Sequence, residues 1–300
     1  MNVRAEAKPL TAPLPGGREG TTVAVEPLEV GRMHAPREFF EASKHLPLAR
    51  MFGLGTPKSK YVSFPIPAYL IHHPSGPFVV DTGLHPSVSS RPAENLGRVP
   101  ASFGRPELEP GTDLPGQLRD RGIEAKAIRT VVMTHMHFDH TSGMSEFPGA
   151  TFILSEDEWT AATTESRPFL QGYRPTHYDY AFDYRTVSYD SALVRSYSTF
   201  GRTFDLFGDG SVRLASTPGH SAGHQSLICR LRDRDLVIAG DAIYTYAQLE
   251  GAPEPPRPYD RHTWRRSLRE LRHFHGQYPQ ATIIPGHDGE HWKTVEKRYE

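Results

Sequence analysis

One short window constrains this chain more than any other. Directly after the β-branched residues Val131 and Val132 the sequence reads MTHMHFDHTSG, which crowds His135, His137, Asp139 and His140 into six positions. Residues two apart on an extended segment share a face, so His135 and His137 can chelate one cation together. Asp139 and His140 then turn towards a second site. Imidazole nitrogen and carboxylate oxygen suit zinc best, with cobalt, manganese or iron as substitutes. Four donors do not complete two metal sites, so the fold has to bring further ligands from distant parts of the chain.

Those ligands are expected at the ends of strands, where a loop can aim them. His220 follows the strand-like run SVRLAS, Asp241 ends DLVIAGD, and His287 ends ATIIPGHD. Each has glycine immediately before it, where the missing side chain lets backbone or metal approach closely. A carboxylate such as Asp241 can bridge two cations. The allocation then closes: His135, His137 and His220 on one metal, Asp139, His140 and His287 on the other, Asp241 between them.

The remaining pattern is that of one large α/β domain. Residues 1–20, rich in proline and glycine without periodicity, read as a flexible arm, and 21–300 as the domain. TTVAVEPLEVGRM is a first strand, followed by an irregular stretch with a short helical piece around REFFEASKHL. YVSFPIPAYLIHH and FVVDTG form two strands about the turn PSGP, and the prolines call for an edge or bulged position. DLPGQLRDRGI is a helix capped by Thr112 or Asp113. AIRTVVMTH and ATFILS are strands, and SEDEWTAA starts a helix with Ser155 and Glu158 as a capping box. SVRLAST, HQSLICRL and DLVIAGD are further strands. DRHTWRRSLRELRHFH is an amphipathic helix with Asp260 as cap and Trp264, Leu268, Leu271 and Phe274 on one face. ATIIPGHD is the last strand. An aromatic-rich segment at about 167–207 reads as an insertion, either packed locally or forming a wall over an apolar pocket.

Composition narrows the partners. A formal net charge of -1 gives no electrostatic reason to expect nucleic acid or an anionic membrane. No apolar run reaches the length of a membrane span, and the start of the chain lacks a secretory h-region. A single cysteine, Cys229, fits a reducing cytoplasm and a bland place in a buried strand. A homodimer is compatible with all of this.

With these residues in place, the sequence resembles the metallo-β-lactamase superfamily, whose signature is H-x-H-x-D-H followed by a distant His, Asp and His in this order. The resemblance runs from about residue 22 to the end and includes DTG at 81–83. It implies an αβ/βα sandwich of two mixed sheets flanked by helices, with two zinc ions at one edge. It makes Asp81 a supporting residue near the metals rather than a ligand, and gives His224 a similar part around His220. The chemistry implied is hydrolysis, by a metal-bridging hydroxide that exists at neutral pH because the cations lower the pKa of water. The oxygen-reducing di-iron members typically carry glutamate where this chain has His137.

Within that superfamily, HMHFDH, TPGHSAGHQSL and GDAIYT resemble the N-acyl-homoserine lactonases. The resemblance implies that the Tyr244 hydroxyl hydrogen-bonds the lactone carbonyl and that Asp139 protonates the leaving alkoxide. Phe138 becomes a candidate wall of the substrate pocket. The alternatives are a related hydrolase of thioesters, carboxyl esters or organophosphate triesters, and a non-catalytic metal-binding protein on the same scaffold. Seven intact ligands speak against the last.

Overall fold

The computed structural model describes residues 3–42, 45 and 47–300. Among them, one seven-stranded sheet runs in spatial order β1 (Ala7–Pro9), β7 (Asp183–Val187), β6 (Thr151–Ser155), β5 (Thr130–Val132), β4 (Gly76–Val80), β3 (Val62–His73) and β2 (Ala24–Ala35). The other is six-stranded: β13 (Thr282–Pro285), β12 (Asp235–Gly240), β11 (Gln225–Arg230), β10 (Val212–Ser216), β9 (Phe200–Asp205) and β8 (Arg195–Tyr197). Both sheets are mixed. β1, β7, β6, β5 and β4 run parallel, with β3 and β2 antiparallel, while β12 and β13 are the parallel pair of the second sheet. The helices are α1 (Pro47–Met51), α2 (Pro92–Asn95), α3 (Arg98–Gly104), α4 (Leu114–Asp120), α5 (Phe138–Thr141), α6 (Glu156–Thr164) and α7 (Arg261–Gln277).

Period-two alternation divides the strand residues among three apolar layers. Val80, Val132 and Ile153 face Leu227, Cys229, Ile238 and Ile284 between the sheets. Their neighbours Val79, Val131 and Phe152 turn to the opposite face, against Leu96, Leu114, Leu118 and Phe147. The outer face of the second sheet is covered by α7 through Trp264, Leu268, Leu271 and Phe274. Burying each of these side chains contributes about 1.5–3 kcal/mol. The expected helix–sheet–sheet–helix sandwich is the observed one. Asp260 caps α7 by accepting the Thr263 N–H at 2.6 Å, and Asp113 caps α4 through the Gly116 N–H at 2.9 Å.

The prolines of β3 are local edge residues. Pro65 and Pro67 pair only with β2, opposite a bulge between Glu29 and Arg32, because β4 reaches no further than Tyr69. Two expectations need correction. The stretch 1–20 is fastened over its described length: β1 pairs with β7, and Leu14 N–H donates to Leu206 O at 2.8 Å. Backbone hydrogen bonds hold it, so its composition carries no sign of order. The segment 167–207 does not stand apart as an insertion, since it supplies β7, β8 and β9; Tyr178, Tyr184, Phe200 and Phe204 are core residues. Of the helical piece around 37–46, Arg37–Phe39 is a single 3-10 turn, and residues 43, 44 and 46 lie outside the described residues.

Candidate metal centre

The parallel strands place the site. β4, β5 and β6 end at one edge of the first sheet, and β10, β12 and β13, which share a direction, end beside them in the second. The loops after these strands deliver Asp81, His135 to His140, His220, Asp241 and His287 to one place. All seven candidate ligands converge there, in three groups whose donor atoms lie within 4.8 Å of one another: His135, His137 and His220; His135, His140 and Asp241; Asp139, His140 and His287.

His220 Nε2 lies 3.1 Å from His135 Nε2 and 2.9 Å from His137 Nδ1. Burial pushes His135 and His220 well below the ordinary histidine value and His137 down to about 4, so all three are neutral at pH 7. Three lone pairs therefore meet in one space, which is the donor set a cation requires. On the other side, His287 Nε2 is 3.4 Å from Asp139 Oδ2, and His140 Nε2 is 3.7 Å from the same oxygen. Asp241 lies between: its Oδ2 is 3.2 Å from both His220 Nε2 and His287 Nε2, and its Oδ1 is 3.7 Å from His140 Nε2. Although burial opposes it, the charges of His287 and His140 hold the Asp241 carboxyl well below the usual range. Among the described residues, His140 Nε2 and Asp241 Oδ1 are buried without a hydrogen-bond partner. Unmet donors of this kind, in a nitrogen and oxygen set, fit divalent metal.

The outer contacts orient the rings. Asp81 accepts Thr134 N–H at 2.8 Å, Thr134 Oγ1–H at 2.7 Å and His140 Nδ1–H at 2.8 Å. With its hydroxyl proton given to Asp81, Thr134 Oγ1 accepts from His135 Nδ1, 3.0 Å away. His287 Nδ1–H donates to Pro65 O at 3.0 Å. In each case the protein holds Nδ1, which turns Nε2 to the site. Asp81 has φ 57°, a left-handed conformation that aspartate tolerates at some cost, and it makes three hydrogen bonds from it. His224 Nε2 accepts the Asp241 N–H at 3.0 Å, and a Cβ at Gly240 would strike that ring. His224 therefore supports the Asp241 loop, and with Thr217 Oγ1 3.0 Å from its Nδ1 and the Thr217 N–H donating to its carbonyl it also ties together the ends of the loop that carries His220; burial pushes it down to about 3.

Tyr244 OH lies 3.1 Å from His220 Nδ1, and Phe138 is half-buried against the helix-side core. Two features went unseen in the sequence. The aromatic surroundings of Tyr244 come from Phe39 at 6.0 Å and Phe40 at 5.6 Å, with Phe103 beyond Phe39 at 6.4 Å, not from the 167–207 segment. Only the pair FF at 39–40 hinted at this, inside a stretch without periodicity. The other is Glu158: no capping hydrogen bond forms at Ser155, and the Glu158 carboxylate points into the interior.

Residues 63–287 match the profile of the metallo-beta-lactamase superfamily. The chain is 29% identical to N-acyl homoserine lactonase AttM of Rhizobium radiobacter, over 78% of this chain and 85% of that one. AttM of Rhizobium johnstonii is 30% identical with the same coverage of both chains. A solved N-acyl homoserine lactone hydrolase, with its product N-hexanoyl-L-homoserine at the catalytic metal centre, superimposes with a TM-score of 0.73. That match has 21% identity and covers 92% of this chain and 97% of the other.

Proposed function

The chain belongs to the metallo-β-lactamase superfamily, and from that premise we propose that it is a di-zinc lactonase opening the ring of N-acyl-homoserine lactones in the cytoplasm. His135, His137 and His220 would hold one zinc, Asp139, His140 and His287 the other, with Asp241 shared. Bound there, the metals supply an activated water at neutral pH and a Lewis acid for the carbonyl.

The observation that carries the lactone reading is the Tyr244–His220 contact of 3.1 Å. His220 turns Nε2 to the metal side, so its Nδ1 carries the ring proton and donates to the tyrosine oxygen. The phenol proton is left free for a substrate carbonyl. Burial, reinforced by Asp241 and Asp139, pushes the Tyr244 phenol well above its ordinary value, so it remains a donor at neutral pH. The Asp139 side chain, 13% exposed against 4% for Asp241, is the more open carboxylate and suits carrying a proton to the ring oxygen as the ester bond breaks. Phe39, Phe40 and Phe103 support an apolar acyl chain beside Tyr244.

The test is a substrate panel on zinc-loaded protein with metal analysis. Short- and long-chain acyl-homoserine lactones should be hydrolysed at least about tenfold more efficiently, by kcat/KM, than paraoxon, lactoylglutathione or simple esters. About two zinc ions per chain are expected. A preference for the thioester or the triester would transfer the reading to that substrate class, and zinc near zero would sink it.

A further inference from the structure

α6 starts directly after β6, and its first turn lands between the two segments that carry His135, His137 and His220. Glu158 is fully buried there. Its Oε1 accepts the N–H of Met136, the residue between His135 and His137, at 2.9 Å. Its Oε2 accepts the Ser221 hydroxyl at 2.7 Å and the Gly223 N–H at 2.8 Å, both in the loop that begins with His220. The loop is pressed onto the helix start: a Cβ at Gly223 would strike the Glu158 amide nitrogen and the Ser155 hydroxyl.

The donors that reach Glu158 are uncharged, so no ion pair offsets the cost of burying a carboxylate. What the carboxylate provides is acceptors alone. A glutamine in its place would turn an NH2 group against either Met136 N–H or Gly223 N–H, leaving one backbone donor unmatched. The second group of candidate ligands is held differently, His140 by Asp81 and His287 by Pro65 O.

We propose that Glu158 is a positioning residue that sets the spacing between the His135–His137 limb and the His220 loop. It thereby tunes the first metal pocket and leaves the second alone. The inference rests on the two-metal reading above.

Metal-free wild type, Glu158→Gln and Ser221→Ala should be titrated with zinc against a chromogenic chelator, with circular dichroism reporting the fold. Wild type should take up two equivalents. Glu158→Gln should weaken one class of site by about 10–100-fold, the usual effect of losing an outer-shell partner, and leave the other within about threefold. Ser221→Ala, which removes one of the donors, should weaken the same class by about 3–10-fold. A folded Glu158→Gln with both classes unchanged, or both weakened alike, overturns the role. Should that variant fail to fold, Ser221→Ala decides: selective weakening supports the role and unchanged binding overturns it. Wild type that binds no zinc refutes the two-metal reading itself, a result distinct from any behaviour of the variants.

Discussion

Two buried histidine–carboxylate clusters lie at opposite edges of the first sheet, and they differ in what is left unsatisfied. At one edge, His73 Nε2–H donates to Asp209 Oδ2 at 3.1 Å, and its Nδ1 accepts the Ser75 N–H at 3.0 Å. Asp209 also accepts Gly17 N–H at 2.7 Å and Ser211 N–H at 2.9 Å, and the His73 ring stacks on Phe207 at 3.8 Å. Each of these polar atoms has a protein partner. At the other edge, three imidazole nitrogens face one another, and His140 Nε2 and Asp241 Oδ1 have no hydrogen-bond partner among the described residues. Burial and residue type are alike in the two places. The unfilled valence separates a clasp for the N-terminal segment from a site built to receive something.

The sharpest way to break this comparison is a pair of equivalent substitutions. Asp241→Asn should reduce bound zinc from about two to one or fewer and lower lactone kcat/KM by on the order of 10³. Dialysis against chelator should do the same to wild type, with zinc restoring activity. Next in size, Tyr244→Phe should lower kcat/KM by about 10–100-fold, the worth of one hydrogen bond to developing charge, with zinc content unchanged. Full activity in this variant would remove the role given to the hydroxyl.

At the other cluster, Asp209→Asn places an amide where Asp209 receives N–H donors. Denaturant unfolding should show a loss of about 1–3 kcal/mol, while kcat/KM on lactone stays within about twofold of wild type. Lost activity with unchanged stability would erase the distinction between the clusters.

The smallest effect concerns a buried histidine outside both. Burial pushes His177 down to about 3, and its Nε2 and Nδ1 lie 3.1 Å from Asn95 O and Thr141 Oγ1. The unfolded chain binds a proton at this residue near pH 6.5 and the folded one only near 3, so its contribution is complete above 6.5 and is lost as pH falls towards 3. The slope is about 1.4 kcal/mol per pH unit. Denaturant unfolding at pH 7, 6 and 5 should be less steep in pH by about that amount for His177→Gln. Equal slopes would show that the residue accepts a proton in the folded state.

Much of this was legible before any coordinates. The strands around Val131, Ile153, Leu227, Val237 and Ile283 are apolar runs, and α7 announces itself by Trp264, Leu268, Leu271 and Phe274 at helical spacing. His135, His137, Asp139 and His140 stand out by their spacing, and His220, Asp241 and His287 by residue type and a place at the end of strand-like runs. What escaped was long-range. Glu158 looked like half of a capping box because its competing donors, Met136, Ser221 and Gly223, lie 22, 63 and 65 residues away. Phe39 and Phe40 lie in a segment without periodicity, so nothing local tied them to Tyr244.

By itself, then, the sequence determined the chemical kind of each donor, the alternation that builds two sheets, and the glycine-flanked turns at strand ends. These are properties of neighbours along the chain, settled by side-chain chemistry and backbone period. Only the tertiary structure decided that β4, β5 and β6 end beside β10, β12 and β13, that Asp241 falls between two groups of histidines, and that a helix-start carboxylate faces inward. Such choices depend on strand order and on which distant hydrogen-bond donors remain unsatisfied once the layers have packed.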